Sequence, residues 1–452
     1  MKKTENMVWR FFASVRLALF SLLILATTSI IGTLIPQKNP PEFYIEAFGQ
    51  RTAQLFQMLD VPNMYNSWWF ISLLLLFSVN LIVCTIDRLP NVWKMVVMNN
   101  LDTDPERLEK MPHRQEFHAR GDAAALTEIA TGLLAKNGWK AQGETKPTGS
   151  SLLFSQKLAW SRLGVYAVHL SILVIFAGAI IGSLLGFKAG VMIPEGSATD
   201  TVYETGTEKP IPLGFTVKCD DFNVSFYADG TTPKEFRSNL SILENGKTII
   251  DKRSIIVNDP LDYKGITFYQ SSYEPMQGFN VVITNKATKV SQSFQIPFGQ
   301  KISWPEGGID FGVINQEARS RMGDVNRLKV WFSDGQGDPS IFWMDNNASQ
   351  TISSPTATYE FEASQVYATG LQVAKDPGVW TVYAGCALML IGLYVAFFLS
   401  HRRVWVYIVR EEAADRCRIL VCGASSKNKI AFEKEFAALV ECFTHDSTLQ
   451  NA

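Results

Sequence analysis

The sequence predicts a membrane α protein carrying a large antiparallel β domain, sandwich-like or barrel-like, outside the bilayer. Three observations predict it. Residues 17–35, 67–86, 162–187 and 377–400 are long apolar runs, and a bilayer-crossing helix needs about 20 residues. Residues 188–376, between the third and fourth runs, are polar and alternate in the manner of strands. Charged residues are only 19% of the chain and hydrophobic ones 47%, a mean that conceals apolar runs set among ordinary polar segments. The net charge of −1 argues against a nucleic-acid partner. None of the six cysteines is spaced CxxC, so the chain holds no thioredoxin-type dithiol and no CxxCH haem-attachment site. Walker, HExxH and GxSxG motifs are also missing.

Residues 1–86 read as a short basic segment (Lys2, Lys3, Arg10, Arg16), an uncleaved first span, a loop, and a second span. Pro36, Pro40 and Pro41 stop the first helix. Trp68 and Trp69 open the second at an interface, and Asn80 within it predicts an interhelical hydrogen bond. Residues 87–161 form a small α/β insert, with strands at Gln115–His118 and Ser151–Gln156 and a helix at Ala123–Lys136. A metal site at His113 and His118 is disfavoured because no further ligand lies nearby.

From Leu163 to Phe187 the third span has no Lys, Arg, Asp or Glu, but it holds His169. An imidazole in lipid is costly unless it meets a cavity, a partner or a ligand. The packing alternative is a hydrogen bond to a neighbouring span. Gly178, Gly182 and Gly186 form a small-residue ridge suited to a close helix contact. In 188–376 the short β runs are Phe215–Lys218, Phe222–Tyr227, Asn239–Leu243, Lys247–Ile250, Ile266–Gln270, Asn280–Ile283 and Leu328–Phe332, with a hairpin signal at Glu244–Gly246. This domain shows no recognisable acid, base and nucleophile cluster and reads as a docking surface. Its single cysteine, Cys219, reads as a buried small hydrophobe.

The fourth span ends in His401, Arg402, Arg403 and Trp405, and the 401–452 tail carries a helix over Lys429–Cys442. Trp380 and Trp405 read as interfacial anchors, and Cys417 and Cys422 as ordinary reduced thiols. Basic flanks gather on one side of a four-span arrangement. The positive-inside rule therefore puts both termini, the insert and the tail in the cytoplasm, in an inner membrane, with the β domain extracytoplasmic.

Four stretches in order carry a resemblance: Ser29–Gln37, Trp160–Gly190, Val257–Pro275 and Thr369–Val406. Together they resemble the ResB type of cytochrome c biogenesis protein of the system II pathway, over almost the whole chain. The resemblance implies a subunit that works with a ResC/CcsA-type membrane partner to carry haem b across the membrane. The haem is then joined to CxxCH cysteines of apocytochrome c. The partner's tryptophan-rich segment is not found here, so the chain reads as the ResB half alone. The resemblance also implies that His169 is a haem axial ligand, held transiently and without a covalent bond, the second ligand coming from the partner. His401, Arg402 and Arg403 are the secondary expectation, as contacts to haem propionates at the site of entry; the alternative is that they are topology anchors. Joining is proximity work by the complex, and no catalytic base is assigned to this chain. The rival readings are a b-haem redox protein and a structural assembly factor without haem contact.

Overall fold

The computed structural model describes residues 6–145, 149–227, 232–318, 323–411 and 416–446; Lys2, Lys3 and the last residues of the tail lie outside them. The chain divides into two compact units, residues 1–179 with 379–452, and residues 180–378.

Among the described residues, four helices are long and apolar enough to cross a membrane: Val15–Leu34, Trp68–Val97, Ala159–Leu185 (opening with a 3₁₀ turn) and Val379–Phe398. The second differs from expectation. Asp87 and Arg88 end its apolar run, but the helix continues to Val97 with Pro90 inside it. Leaving hydrocarbon does not require leaving the helix. The segment after the first span, read as a loop, folds as helices Pro41–Phe48 and Gln50–Met58, broken at Gly49 with φ +81°. Buried Tyr44 donates to the Pro36 carbonyl at 2.5 Å, folding this segment back on the end of the first span. Asn80 makes the expected interhelical bonds. Its Nδ2 donates to Phe12 O (2.6 Å) and Ser14 O (3.1 Å), where helix Met7–Phe12 breaks before the first span.

The third and fourth spans meet through glycine at Gly164, Gly385 and Gly392, and Gly178 of the predicted ridge is buried. A Cβ on Gly385 would stand 3.0 Å from the backbone N of Ile175, and one on Gly392 2.9 Å from that of Val168. Gly164 faces Ala396 in the same way. Gly182 and Gly186 instead make room for Asp376 and Lys375, where the chain returns toward the fourth span.

The insert and the tail, expected as separate pieces, are one domain. A five-stranded antiparallel sheet runs His113–Ala119, Arg416–Ser425, Arg402–Glu411, Ser151–Lys157, Gln142–Thr145. Helices Ala123–Lys136 and Lys429–His445 cover one face around Trp139, Val406, Phe432 and Phe443. Leu101 and Leu108 help cover the other face with Phe154, Trp405 and Cys422. Trp405 is therefore core, 2% exposed, and not an interfacial anchor, whereas Trp68 and Trp380 stand exposed at the starts of their spans. Glu435 receives both Lys157 (2.9 Å) and Arg402 on its carboxylate, tying the last helix to the sheet.

The second unit is antiparallel β throughout its described pairings. Runs read as separate strands merge. Phe215–Lys218 and Phe222–Tyr227 fall largely in Pro210–Phe226, and Ile266–Gln270 and Asn280–Ile283 both belong to Ile266–Asn285. The Pro275–Gly278 stretch is absorbed as a bulge against Thr358–Lys375 instead of ending the strand. These two long strands pass through two cores. One gathers Val217, Cys219, Phe268 and Val373. The other gathers Phe279, Val281 and Phe361 with the four-stranded sheet formed by Lys301–Trp304, Ile309–Ala318, Val325–Ser333 and Ser340–Asp345. The hairpin at Asn245-Gly246 forms as predicted, both residues at positive φ (49° and 78°), between Pro233–Glu244 and Lys247–Ile255. Phe187 and Lys375, which continue into the third and fourth spans, are register partners.

Candidate functional site

His169 lies on helix Gly164–Leu185, about 8 Å along its axis from the first residue. It is half-buried. Its Nδ1 pairs with Thr85 Oγ1 of the second span at 3.0 Å, and its ring meets that of Tyr166 edge-on at 6.0 Å. Nε2 has no hydrogen-bond partner among the described residues. The ring lines a cavity of about 430 Å³, within the range of small-molecule sites.

The walls are mainly apolar and cationic, with Asn80, Ser161, Tyr166 and Ser426 adding neutral polar groups. Val15, Ala18, Leu81, Val92 and Val165 supply apolar surface, and Arg88, Arg162 and Lys427 supply three cations. Among the described residues the lining contains no Asp or Glu. Asp87, next to Arg88, accepts from Trp9 Nε1 at 3.3 Å and is not in the wall. Lys427 donates to Ala396 O and so caps the end of the fourth span. Arg88 and Arg162 have no carboxylate partner among the described residues. A largely apolar chamber with guanidinium groups that lack a carboxylate partner and one open imidazole nitrogen suits a ligand with an apolar body, an acidic edge and a metal.

His401 is 1% exposed, and both its ring nitrogens are engaged. Nδ1 accepts from Arg162 Nε–H at 2.7 Å, so the ring proton sits on Nε2, which donates to Gln156 Oε1 at 2.9 Å. Gln156 Nε2 in turn donates to Val96 O at 3.1 Å. Burial, reinforced by the charges of Arg162 and Arg403, pushes the His401 imidazole down to about 4, which keeps it neutral. His401 thus reaches the cavity only through Arg162. Arg402 is bound to Glu435, and Arg403 lies over the Trp405 ring at 5.3 Å; neither lines the cavity.

The remaining candidates do not form sites. His113 packs on Phe432 at 5.5 Å, while His118 lies 3.5 Å from Glu116 and from Glu411; an odd spacing on a strand puts them on opposite faces. Cys417 and Cys422 likewise fall in different cores. Among the described residues no group of three or more His, Cys, Asp or Glu side chains could hold a metal ion.

The sequence profile of the ResB-like family matches residues 15–339 and 313–437. The chain belongs to the ResB-like family. Relatives are similar along nearly their whole length. Cytochrome c biogenesis protein CcsB of Microcystis aeruginosa is 29% identical over 447 residues, 95% of this chain and 93% of its own. CcsB of Crocosphaera subtropica is 27% identical over 453 residues, covering 96% and 94%. Cytochrome c biogenesis protein Ccs1 of Thalassiosira pseudonana is 26% identical over 458 residues, covering 96% and 99%. Of the residues around this cavity, the sequence singled out His169. It missed Thr85, Arg88, Val92 and Lys427, because three of them come from the helical extension beyond the apolar run and from a tail segment far along the chain. A hydroxyl at Thr85, near the end of the second span's apolar run, was the one available signal.

Proposed function

We propose that this ResB-like chain is a membrane subunit of a cytochrome c synthase. With a ResC/CcsA-type partner, it receives haem b as cargo in the cavity beside His169, carries it outward and supports its attachment to apocytochrome c. The observation that carries the reading is the open Nε2 of His169 in an apolar, cation-rimmed cavity. With Nδ1–H donated to Thr85 Oγ1, the Nε2 lone pair is left for iron, and the hydroxyl fixes tautomer and ring orientation as outer-shell partners of ligating histidines do. Iron so held takes neutral imidazole and a second axial ligand, which the partner supplies. Arg88 and Arg162 offer guanidinium to carboxylates. The α/β domain, stitched from segments on either side of the third and fourth spans, belongs on one side of the membrane; the basic flanks make that side the cytoplasm. The β domain then faces outward as the surface that docks the apocytochrome.

The test is His169→Ala in the complex, reading holocytochrome c yield and the absorption spectrum of the purified protein. The expected result is loss of both haem and yield, restored in part by exogenous imidazole. Unchanged haem and yield would leave His169 a packing residue and favour a structural assembly factor.

A further inference from the structure

Of the three cations around the cavity, Arg162 is the one held in place. Lys427 is committed to the Ala396 carbonyl, and Arg88 is exposed with no partner that would fix it. Arg162 is half-buried, and its Nε is gripped by His401, itself held by Gln156, which is anchored on Val96 O. This relay uses one edge of the guanidinium only. Nη1 and Nη2 have no hydrogen-bond partner among the described residues, although the side chain lines the cavity. Arg162 precedes His169 by seven residues, about two helical turns, which places both on one face about 10 Å apart along the axis. That separation is comparable with the reach from the centre of a porphyrin to the end of a propionate arm.

We propose that Arg162 is the carboxylate anchor of this cavity and that His401 is its positioning residue, holding the guanidinium so that its two outer nitrogens face a porphyrin propionate. The proposal rests on the haem reading of the cavity and assigns the acidic edge of that ligand a partner. A preorganised fork loses less conformational freedom per hydrogen bond than a free side chain. The neutral state of His401 matters because its Nδ1 must accept from Arg162, which a protonated ring does not do.

The experiment titrates the purified full-length chain in nanodiscs with iron-free protoporphyrin IX and with its dimethyl ester, followed by fluorescence. Wild type should prefer the free acid by about tenfold, the loss expected when a charged hydrogen-bonded partner is removed. Arg162→Gln should bring the two affinities together by weakening the acid alone. Arg162→Lys keeps the charge without the Nε bond and should fall between. His401→Leu should reduce the preference as well, while His401→Gln, whose amide oxygen can accept from Nε, should retain it. Equal binding of acid and ester by wild type, or no binding of either, overturns the proposal. So does an Arg162→Gln variant that loses acid and ester equally. If acid and ester bind alike and Arg162→Gln instead loses co-purified anionic lipid, the guanidinium holds a headgroup phosphate and the proposal also fails. His169→Ala should abolish the haem spectrum yet leave the preference for the iron-free acid intact. Failure of the iron-ligand reading and failure of the Arg162 anchor are thereby seen separately.

Discussion

Thr85 and His401 stand behind the two side chains assigned to the ligand, and each can be tested alone. Thr85→Val keeps the volume of the side chain and removes its 3.0 Å bond to His169 Nδ1. Loss of an outer-shell partner costs a histidine ligand about tenfold or more in affinity, so haem titration of the variant should show that weakening with the spectrum otherwise preserved. Unaltered affinity would mean that Tyr166 and the helix backbone orient the ring without Thr85. His401 makes a different prediction, on stability. Its imidazole is held down to about 4 from an ordinary value of 6.5. As pH falls through that window the unfolded chain takes up a proton that the native chain refuses, so this contribution is complete above about 6.5 and is lost progressively toward 4. The full difference is on the order of 3 kcal/mol. Thermal unfolding of wild type should therefore fall more steeply than that of His401→Gln between these values. Parallel curves would show that the ring accepts its proton in the folded state.

The spans and sheets show why some elements were legible in the sequence and others were not. The four apolar runs, the helix Ala123–Lys136 and the Asn245-Gly246 turn are specified by local chemistry, and all appear where the sequence places them, apart from the extension of the second span to Val97. The glycine contact between the third and fourth spans was not legible, because spacing alone does not say which glycines meet which neighbour. Gly182 and Gly186 have the familiar period, yet Gly385 and Gly392, seven apart, lie against backbone. Gly392→Ala should consequently destabilise the chain by about 1–3 kcal/mol, the usual penalty for overpacking, since the obstacle is the Val168 backbone. Gly182→Ala should cost less, because the Asp376 carboxylate it meets can swing away. The unfolding midpoint in detergent orders the two, and a reversed order would contradict the packing. The joined insert and tail were hidden for a longer-range reason. Leu152–Phe154 is an apolar run buried in its sheet, which needs a strand on each side, but no local pattern names Arg402–Glu411 as one of them. Ending the chain after Glu411 removes strand Arg416–Ser425 and helix Lys429–His445, which together cover much of that core. Limited proteolysis should then cut the insert between 99 and 157, although the deletion begins far from it in sequence; a resistant insert would show that it folds without the tail.

At the scale of the whole molecule, the arrangement rests on crossing number and charge. Strand Ser151–Lys157 enters the third span and strand Arg402–Glu411 leaves the fourth, and the two are paired in one sheet. The proposed topology has the third and fourth spans both cross between the strands, so it assigns the segment between those spans to the far side. Arg10, Arg16, Arg88, Lys94, Lys157, Arg162, Arg402 and Arg403 flank the ends of the spans, and the orientation proposed above puts them in the cytoplasm by the positive-inside rule. Under that orientation and the proposed haem role, the cavity lined by Arg88, Arg162 and Lys427 is a site of uptake. The far side can be read with little background, because its one native thiol, Cys219, is fully buried and pushed up to about 12 by that burial and by neighbouring carboxylates. A cysteine at exposed Glu208 should react with a membrane-impermeant maleimide in intact spheroplasts. A cysteine at exposed Lys110 should react only after the membrane is opened. The inverse pattern would turn the molecule over, set the cationic cavity on the side where cytochrome c is completed, and make His169 a residue of haem release instead of uptake.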